Sequence, residues 1–235
     1  MAITLEHVLS NIFSSKKIKV DQKIVHGEGM IQQQAFHILG TLENTFLGVD
    51  EALTIADKML DILTKDDSLP VLLLVDVIGQ KLEMRDEWLG QYAYFGHLLE
   101  CLHLLRKKGH RTFSLVYNQA IGGAFITFGA LAEKVFSLTH STIAVMWLDA
   151  MSKVTKIDKS ILTKISETSP VFAPGVENFK KLGGVHEVLS LKDVSQQLLS
   201  CLSQAPPVDD DRALLGYQLG GRTKAYPIIE KILGN

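Results

Sequence analysis

The junction at Gly122-Gly123 constrains the fold of this chain more than any other segment. It follows an apolar, strand-like run at 113–116 and opens an apolar run at 124–132 that is typical of a helix. Two glycines at a strand-to-helix turn leave backbone N–H groups unshielded, and the start of a helix carries partial positive charge. That arrangement can hold a developing oxyanion. A Gly-Gly pair also marks tight turns and close helix packing, so the pair alone leaves both interpretations open.

The pattern of apolar runs around this junction predicts a parallel sheet. The run at 71–77 is continuous, which is typical of a strand buried on both faces. A long helix is predicted from about Glu87 to Lys108, with Tyr92 and Phe95 on its apolar face. Strand, crossover helix and strand in this order indicate right-handed βαβ units. We therefore expect an α/β fold with a mostly parallel sheet and surrounding helices.

The remaining segments show weaker patterns. A helix is predicted to begin near Asp50, whose carboxylate can cap free N–H groups, and residues 18–25 are predicted as one strand. The segment Ala205–Asp211 is the clearest linker, so we predict a domain at 1–205 and a linker with a helical extension at 206–235. Further predicted elements are strands near 135–138 and 143–146 and helices at 148–154, 159–168, 176–182 and 191–202.

Composition argues against several classes of function. The formal net charge of −2 gives no basic field for nucleic acid or an anionic membrane surface. No apolar run approaches the ~20 residues of a membrane-spanning helix. Cys101 and Cys201 lie in helix-like apolar patterns, and we expect both to be buried free thiols. These features predict a cytoplasmic protein.

The sequence holds none of the compact catalytic motifs. The histidines form no close set of metal ligands, and there is no nucleophile elbow, P-loop or dinucleotide fingerprint. Asp76 lies inside an apolar strand, so a capping or salt-bridge role is favoured. Arg85 lies where a loop enters the long helix and could contact a carboxylate or phosphate. Two prolines flank Phe172 in the segment 169–175, which would form a rigid wall against water or at a subunit interface.

Taken together, several segments in this order resemble the gamma subunits of biotin-independent malonate decarboxylase. The resemblance covers about residues 20–230, and Ser169–Asn178 (Ser-Pro-Val-Phe-Ala-Pro-Gly-Val-Glu-Asn) is its most specific part. The Gly-Gly helix alone would match the whole crotonase-like superfamily. The other segments are Leu74–Gln80 (Leu-Val-Asp-x-x-Gly-Gln), Arg85-Asp86-Glu87, Arg106–His110, Leu115–Ala120, Val145-Met146 and Ala150–Lys156.

The resemblance implies a crotonase-like ββα superhelix and a role in a hetero-oligomer. The partners would be a homologous beta subunit, an acyl-carrier subunit and an acyl-transferase subunit. The substrate would be a malonyl thioester on the phosphoribosyl-dephospho-coenzyme A arm of the carrier, converted to an acetyl thioester and CO₂. No cofactor or metal bound by this chain itself is expected.

The resemblance also directs attention to particular residues. Gly122 and Gly123 are the expected catalytic residues, because their backbone N–H groups would stabilise the enolate oxygen. Family members often have a small residue before the glycine pair, and Ile121 departs from that pattern, which would narrow the site. The expected substrate-binding residues are Ile121, Ala124, Phe172, Gly79 and Arg85.

Three other functions stay open at this point. An enoyl-thioester hydratase would need two acid/base carboxylates, and the first carboxylate after the glycine pair is Glu133. A carboxyltransferase subunit of a biotin-dependent carboxylase would use the same backbone N–H groups at a Gly-Gly pair. A scaffold without catalytic function would only complete the site of a partner. The segment Gly220-Gly221-Arg222 could dock a partner or form a turn.

Overall fold

One large mixed sheet organises the part of the chain that the computed structural model describes, residues 3–169, 173–207 and 209–234. Its nine strands in these ranges are β1 Ser15–Asp21, β2 Ile24–Ile31, β3 Gln34–Thr41, β4 Thr45–Leu47, β5 Val71–Gln80, β6 Thr112–Ile121, β7 Lys134–Leu138, β8 Thr142–Ala144 and β9 Glu187–Leu189. They join in the order β1-β2-β3-β5-β6-β7-β9, with β4 beside β5 and β8 beside β6. The first three strands pair antiparallel, and the later pairs are parallel.

Helices cover both faces of this sheet. The helices are α1 Leu5–Ile12, α2 Val49–Leu63, α3 Met84–Trp88, α4 Gln91–Lys107, α5 Gly122–Thr127, α6 Leu148–Thr155, α7 Lys159–Thr168, α8 Val176–Lys181, α9 Val194–Leu202, α10 Arg212–Gln218 and α11 Tyr226–Leu233. Strand β5 is buried on both sides because its side chains alternate between two apolar clusters. Leu73 and Val75 pack with α2, α4 and α5, whereas Leu72 and Leu74 pack with α1 and α9.

Most predicted elements are confirmed, and the corrections fall where a turn interrupts an apolar pattern. The predicted strand at 18–25 is two strands, because Gln22 has a φ of 53° and reverses the chain. The predicted helix from Glu87 to Lys108 is two helices, because Gly90 between them is left-handed with a φ of 73°. Helix α2 begins at Val49 with Gly48 as its N-cap, so Asp50 lies inside the first turn and does not cap it.

The helix predicted over 124–132 is also shorter than expected. Helix α5 ends at Thr127 because Phe128 is extended and Gly129 has a φ of 120°. The strand before it is longer, since β6 continues to Ile121. Both cysteines are free and buried, as predicted.

Helix α10 packs against the end of α8. A Cβ on Gly183 would lie only 2.1 Å from the Arg212 carbonyl oxygen, so this close crossing of backbones requires glycine. Arg222 Nε donates to the Leu182 carbonyl at 2.6 Å. The segment 220–222 is therefore a turn that packs on this chain. The division into 1–205 and 206–235 stays a prediction. None of the described helices has the length and apolar character needed to cross a membrane.

His186 links the C-terminal extension to the sheet, and its imidazole ring is neutral. The Val135 N–H donates to Nδ1 of His186 at 3.0 Å, and Nε2 lies 3.2 Å from Asp211 Oδ1. Because Nδ1 accepts a hydrogen bond, the ring proton is on Nε2 and points to the Asp211 carboxylate. Burial and the Lys134 ammonium lower the pKa of His186 from its ordinary 6.5, although Asp211 opposes them.

We expect acid to weaken this attachment. Because the folded state holds His186 neutral, its contribution is fully present above about pH 6.5 and falls as the pH drops below that value, by at most about 1.4 kcal/mol per pH unit. In urea unfolding, the free energy of unfolding should fall less between about pH 7.5 and about pH 5.5 in His186→Gln than in the wild type. His140→Gln, at an exposed histidine, is the control and should keep the wild-type pH dependence. An unchanged pH dependence in His186→Gln would contradict this assignment.

Candidate active site

The candidate site lies at the edge of the sheet where β5 and β6 end. These strands are parallel neighbours, with Val77 opposite Ala120, so their carboxyl ends meet at one edge. Gly79 lies near the end of β5, and Ile121 is the last residue of β6, directly before the glycine pair. Ligands in α/β sheets bind preferentially at such edges. The structure therefore brings Gly79, Ile121 and the glycine pair to one end of the sheet.

The turn into α5 depends on glycine at its first position. Gly122 has a φ of 62°, a left-handed conformation that strains other residues. Its N–H and that of Gly123 belong to the first turn, so neither has a partner inside the helix. A six-residue helix has only a small macrodipole, so these N–H groups would act through direct hydrogen bonds rather than through the helix field.

A cavity of about 320 Å³ opens beside Gly123. We call it the Gly123 cavity. Gln80 lies on its wall, and the Gln80 Oε1 is 2.6 Å from the place where a Cβ on Gly123 would lie. The Thr127 hydroxyl donates to the Gly123 carbonyl at 2.8 Å, which fixes the first turn of α5. The cavity is lined by Gln80, Glu87, Gln91, Tyr92, Phe95, Gly123, Ile126 and Thr127.

Not every predicted site residue reaches this cavity. Gly123 lines it, whereas Gly122 is the residue in left-handed conformation directly before Gly123. Ile121 and Ala124 are buried, and Ala124 belongs to the apolar core. Phe172 lies outside the described residues. The substrate-binding roles of these residues and of Gly79 stay predictions.

Arg85 is held by an ion pair on the surface. Its guanidinium donates to both carboxylate oxygens of Asp50, at 2.8 and 3.0 Å, and both side chains are exposed. The neighbouring Asp86 is buried and accepts the Val49 N–H at 2.7 Å. Together the two contacts attach α3 to the start of α2. Arg85 does not line the Gly123 cavity, and its role toward a substrate stays a prediction.

The sequence pattern misplaced Tyr92 but not Phe95. Both were expected on the buried face of one long helix, and Phe95 is partly buried against the apolar core. Tyr92, in the first turn of α4, is instead 83% exposed, and both residues line the cavity. Apolar residues on the preceding segment are also exposed, so this face of the molecule has a large apolar surface. They are Leu82 at 80%, Met84 at 66% and Trp88 at 82%.

Two buried acidic residues have structural partners. Asp76 accepts the backbone N–H groups of Asn44 and Gln119 at 3.0 and 3.3 Å, so the predicted capping role is confirmed. Glu133 forms an ion pair with Arg111 at the start of β7, the opposite edge of the sheet from the glycine pair. Glu133 therefore does not supply the acid/base group that a hydratase would need. Among the described residues that line the Gly123 cavity, Glu87 is the only carboxylate.

The described residues bring no three potential metal-ligating side chains of the His, Cys, Asp or Glu type together. The arrangement instead offers backbone N–H groups, two side-chain amides and an apolar wall next to one carboxylate. Such a site can bind a polar oxygen at one end and exclude water at the other.

The chain is similar to known proteins over most of its length. A family model described as malonate decarboxylase gamma subunit matches residues 43–234. The malonyl-S-ACP:biotin-protein carboxyltransferase MadD of Malonomonas rubra is 34% identical over 167 residues, which is 65% of this chain and 57% of that protein. The chain thus spans a little over half the length of this relative.

Solved structures show the same fold. A chain of a Pseudomonas malonate decarboxylase hetero-tetramer, crystallised with coenzyme A, matches with a TM-score of 0.80 at 18% identity, over 96% of both chains. The Pseudomonas MdcD-MdcE hetero-dimer gives 0.76 at 18% identity, again over 96% of both chains. Transcarboxylase 12S gives 0.72 at 17% identity, over 89% of this chain and 44% of that one. The predicted crotonase-like fold is confirmed.

Proposed function

Because the chain belongs to the malonate decarboxylase gamma subunit family, we propose that it is one subunit of a complex that decarboxylates a malonyl thioester. The products are an acetyl thioester and CO₂. The substrate is carried by an acyl-carrier subunit on a phosphoribosyl-dephospho-coenzyme A arm, which presents the malonyl group as a thioester. An acyl-transferase subunit loads the carrier, and the complex works in the cytoplasm.

The single observation that carries this proposal is the first turn of α5 on the wall of the Gly123 cavity. When the bond between the α-carbon and the carboxylate breaks, its electron pair moves into the thioester carbonyl and negative charge develops on that oxygen. A backbone N–H aimed at the oxygen stabilises this charge, and one such donor contributes about 3–4 kcal/mol. We propose the N–H of Gly123 as this donor, with that of Gly122 beside it.

The other wall of the cavity favours loss of the carboxylate. Tyr92, Phe95 and Ile126 present apolar surface, and an anionic carboxylate that is moved away from water is less stable than neutral CO₂. The volume of about 320 Å³ fits the small malonyl end of the substrate and not its whole carrier arm. Residues of this chain would therefore hold the reacting end, and the rest of the arm would extend outward.

A homologous beta subunit is the proposed partner that closes the cavity. Exposed Tyr92 lines the cavity and exposed Trp88 follows Glu87 in the chain, and both are residue types that anchor protein interfaces. The related Pseudomonas proteins form a hetero-dimer and a hetero-tetramer, which supports the same type of assembly here.

The test is release of CO₂ from a malonyl thioester by this chain alone, by the beta partner alone and by the two together. We expect activity only from the pair, because the site is open to water in the isolated chain. Full activity of the chain alone would overturn the subunit assignment and indicate a self-sufficient crotonase-like enzyme.

A second candidate function is transfer of the carboxyl group to biotin. The Malonomonas relative is a carboxyltransferase that acts between malonyl-S-ACP and a biotin protein, and the same glycine device would serve that reaction. Adding a biotin carrier protein to the assembled complex separates the two. If formation of the acetyl thioester requires the biotin carrier and the carboxyl group is recovered as carboxybiotin, the carboxyltransferase function is correct. If CO₂ is released without the biotin carrier, the decarboxylase function is correct.

A further inference from the structure

Glu87 is the one carboxylate among the described residues on the wall of the Gly123 cavity. The cations that flank it in sequence are engaged elsewhere, Lys81 with Glu51 at 2.6 Å and Arg85 with Asp50 at 2.8 Å. The Glu87 side chain is exposed, so it exchanges protons directly with solvent when the cavity is open. A carboxyl group in this position can deliver a proton to a bound molecule.

The backbone of Glu87 is fixed by its neighbours. Arg85 and Asp86 attach α3 to the first turn of α2 through the ion pair with Asp50 and the hydrogen bond from the Val49 N–H. The Gly90 N–H donates to the Glu87 carbonyl at 3.0 Å and closes the helix. Glu87 therefore enters the cavity from a short element that is held on both sides, which general acid catalysis requires.

Decarboxylation of a malonyl thioester leaves an enolate that needs one proton at its α-carbon. Resting on the proposed function, we infer that Glu87 supplies this proton. The carbon–carboxylate bond breaks, CO₂ leaves and the electron pair forms the enolate. The enolate α-carbon then forms a C–H bond with the Glu87 proton, giving the acetyl thioester and the Glu87 carboxylate, which regains a proton from water.

The groups on the cavity wall leave the Glu87 carboxyl group available to a substrate. Among the described residues that line the Gly123 cavity, none is a cation that could hold Glu87 in an ion pair. The flanking lysine and arginine do not neutralise Glu87, because each already has its own partner. The other hydroxyl groups on the wall are those of Thr127, which already donates to the Gly123 carbonyl, and Tyr92.

The experiment compares Glu87→Gln with the wild type in the assembled complex. Two rates are measured, formation of the acetyl thioester and incorporation of labelled CO₂ into the malonyl thioester. Without the acid the enolate persists and recaptures CO₂, so we expect net formation to fall about 100-fold while the ratio of exchange to formation rises at least about tenfold. Glu83→Gln, at an exposed glutamate directly before the same short helix, should resemble the wild type in both rates.

Each other outcome is informative. If both rates of Glu87→Gln lie within twofold of the wild-type rates, the inference is overturned. Loss of both rates together also overturns it and would indicate a role in binding or in carbon–carbon cleavage. A raised exchange ratio in Tyr92→Phe and not in Glu87→Gln would assign the proton to Tyr92. If the wild-type complex itself forms no acetyl thioester, the proposed function fails, and that result is separate from any result on Glu87.

Discussion

Replacing Gly123 with proline should lower CO₂ release by the assembled complex by about two to three orders of magnitude. Proline removes the N–H that we assign to the oxyanion, and the first turn of a helix tolerates proline because that N–H has no helical partner. The side chain of Gln80 lies close to the new ring, but it is an exposed and flexible group that can move. The measurement is steady-state CO₂ release with complex formation checked by size-exclusion chromatography.

Two alanine variants are the controls. Gly123→Ala adds a methyl group and keeps the N–H, so its turnover should exceed that of Gly123→Pro by at least about tenfold. Gly96→Ala, in the middle of α4 where a Cβ meets no atom within 4 Å, should keep full turnover and stabilise the chain by about 0.5–1 kcal/mol. Full turnover of an intact Gly123→Pro complex would show that this chain is a scaffold for the partner's site.

Replacing Arg111 with methionine should lower the free energy of unfolding by about 3–5 kcal/mol. Arg111 Nε donates to both oxygens of Glu133 at 2.8 and 2.7 Å, and Glu133 is only 4% exposed. The guanidinium also donates to the carbonyls of Cys201 and Gln204, which attaches the end of α9 to the sheet. The variant leaves a buried carboxylate without its partner, and the measurement is urea unfolding of the isolated chain.

The exposed pair of Arg85 and Asp50 is the matched control. Both side chains are more than half exposed. Such pairs contribute about 1 kcal/mol or less, so Arg85→Met should have a small effect. If Arg111→Met and Arg85→Met lower the free energy of unfolding equally, burial does not explain the contribution of the Arg111–Glu133 pair.

The apolar pattern predicted the architecture well where it was continuous. The run at 71–77 identified β5, and the Gly-Gly pair identified the junction of β6 and α5, because both signals are local. Helix α7 was predicted with its observed bounds, Lys159–Thr168. Errors arose where one residue with positive φ, such as Gln22 or Gly90, divided a pattern that continued on both sides.

The candidate site was predictable only in part. The glycine pair carries its own signal, but the cavity beside it depends on the register of β5 against β6 and on the path of α3. Glu87 follows Arg85 and Asp86 in a segment that the sequence pattern assigned to the start of a helix. No sequence feature predicted that Glu87 would line the same cavity as Gly123. Arg85 had the stronger sequence signal, yet its partner Asp50 is 35 residues away and could not be inferred.

The most direct test of the central claim is a structure of the assembled complex with a stable malonyl-thioester analogue. We predict that the analogue's thioester oxygen lies about 2.7–3.1 Å from the Gly123 nitrogen and that its carboxylate lies against Tyr92 and Phe95. An analogue bound with its carbonyl more than about 4 Å from the nitrogens of both Gly122 and Gly123 would contradict the claim that this chain provides the oxyanion hole.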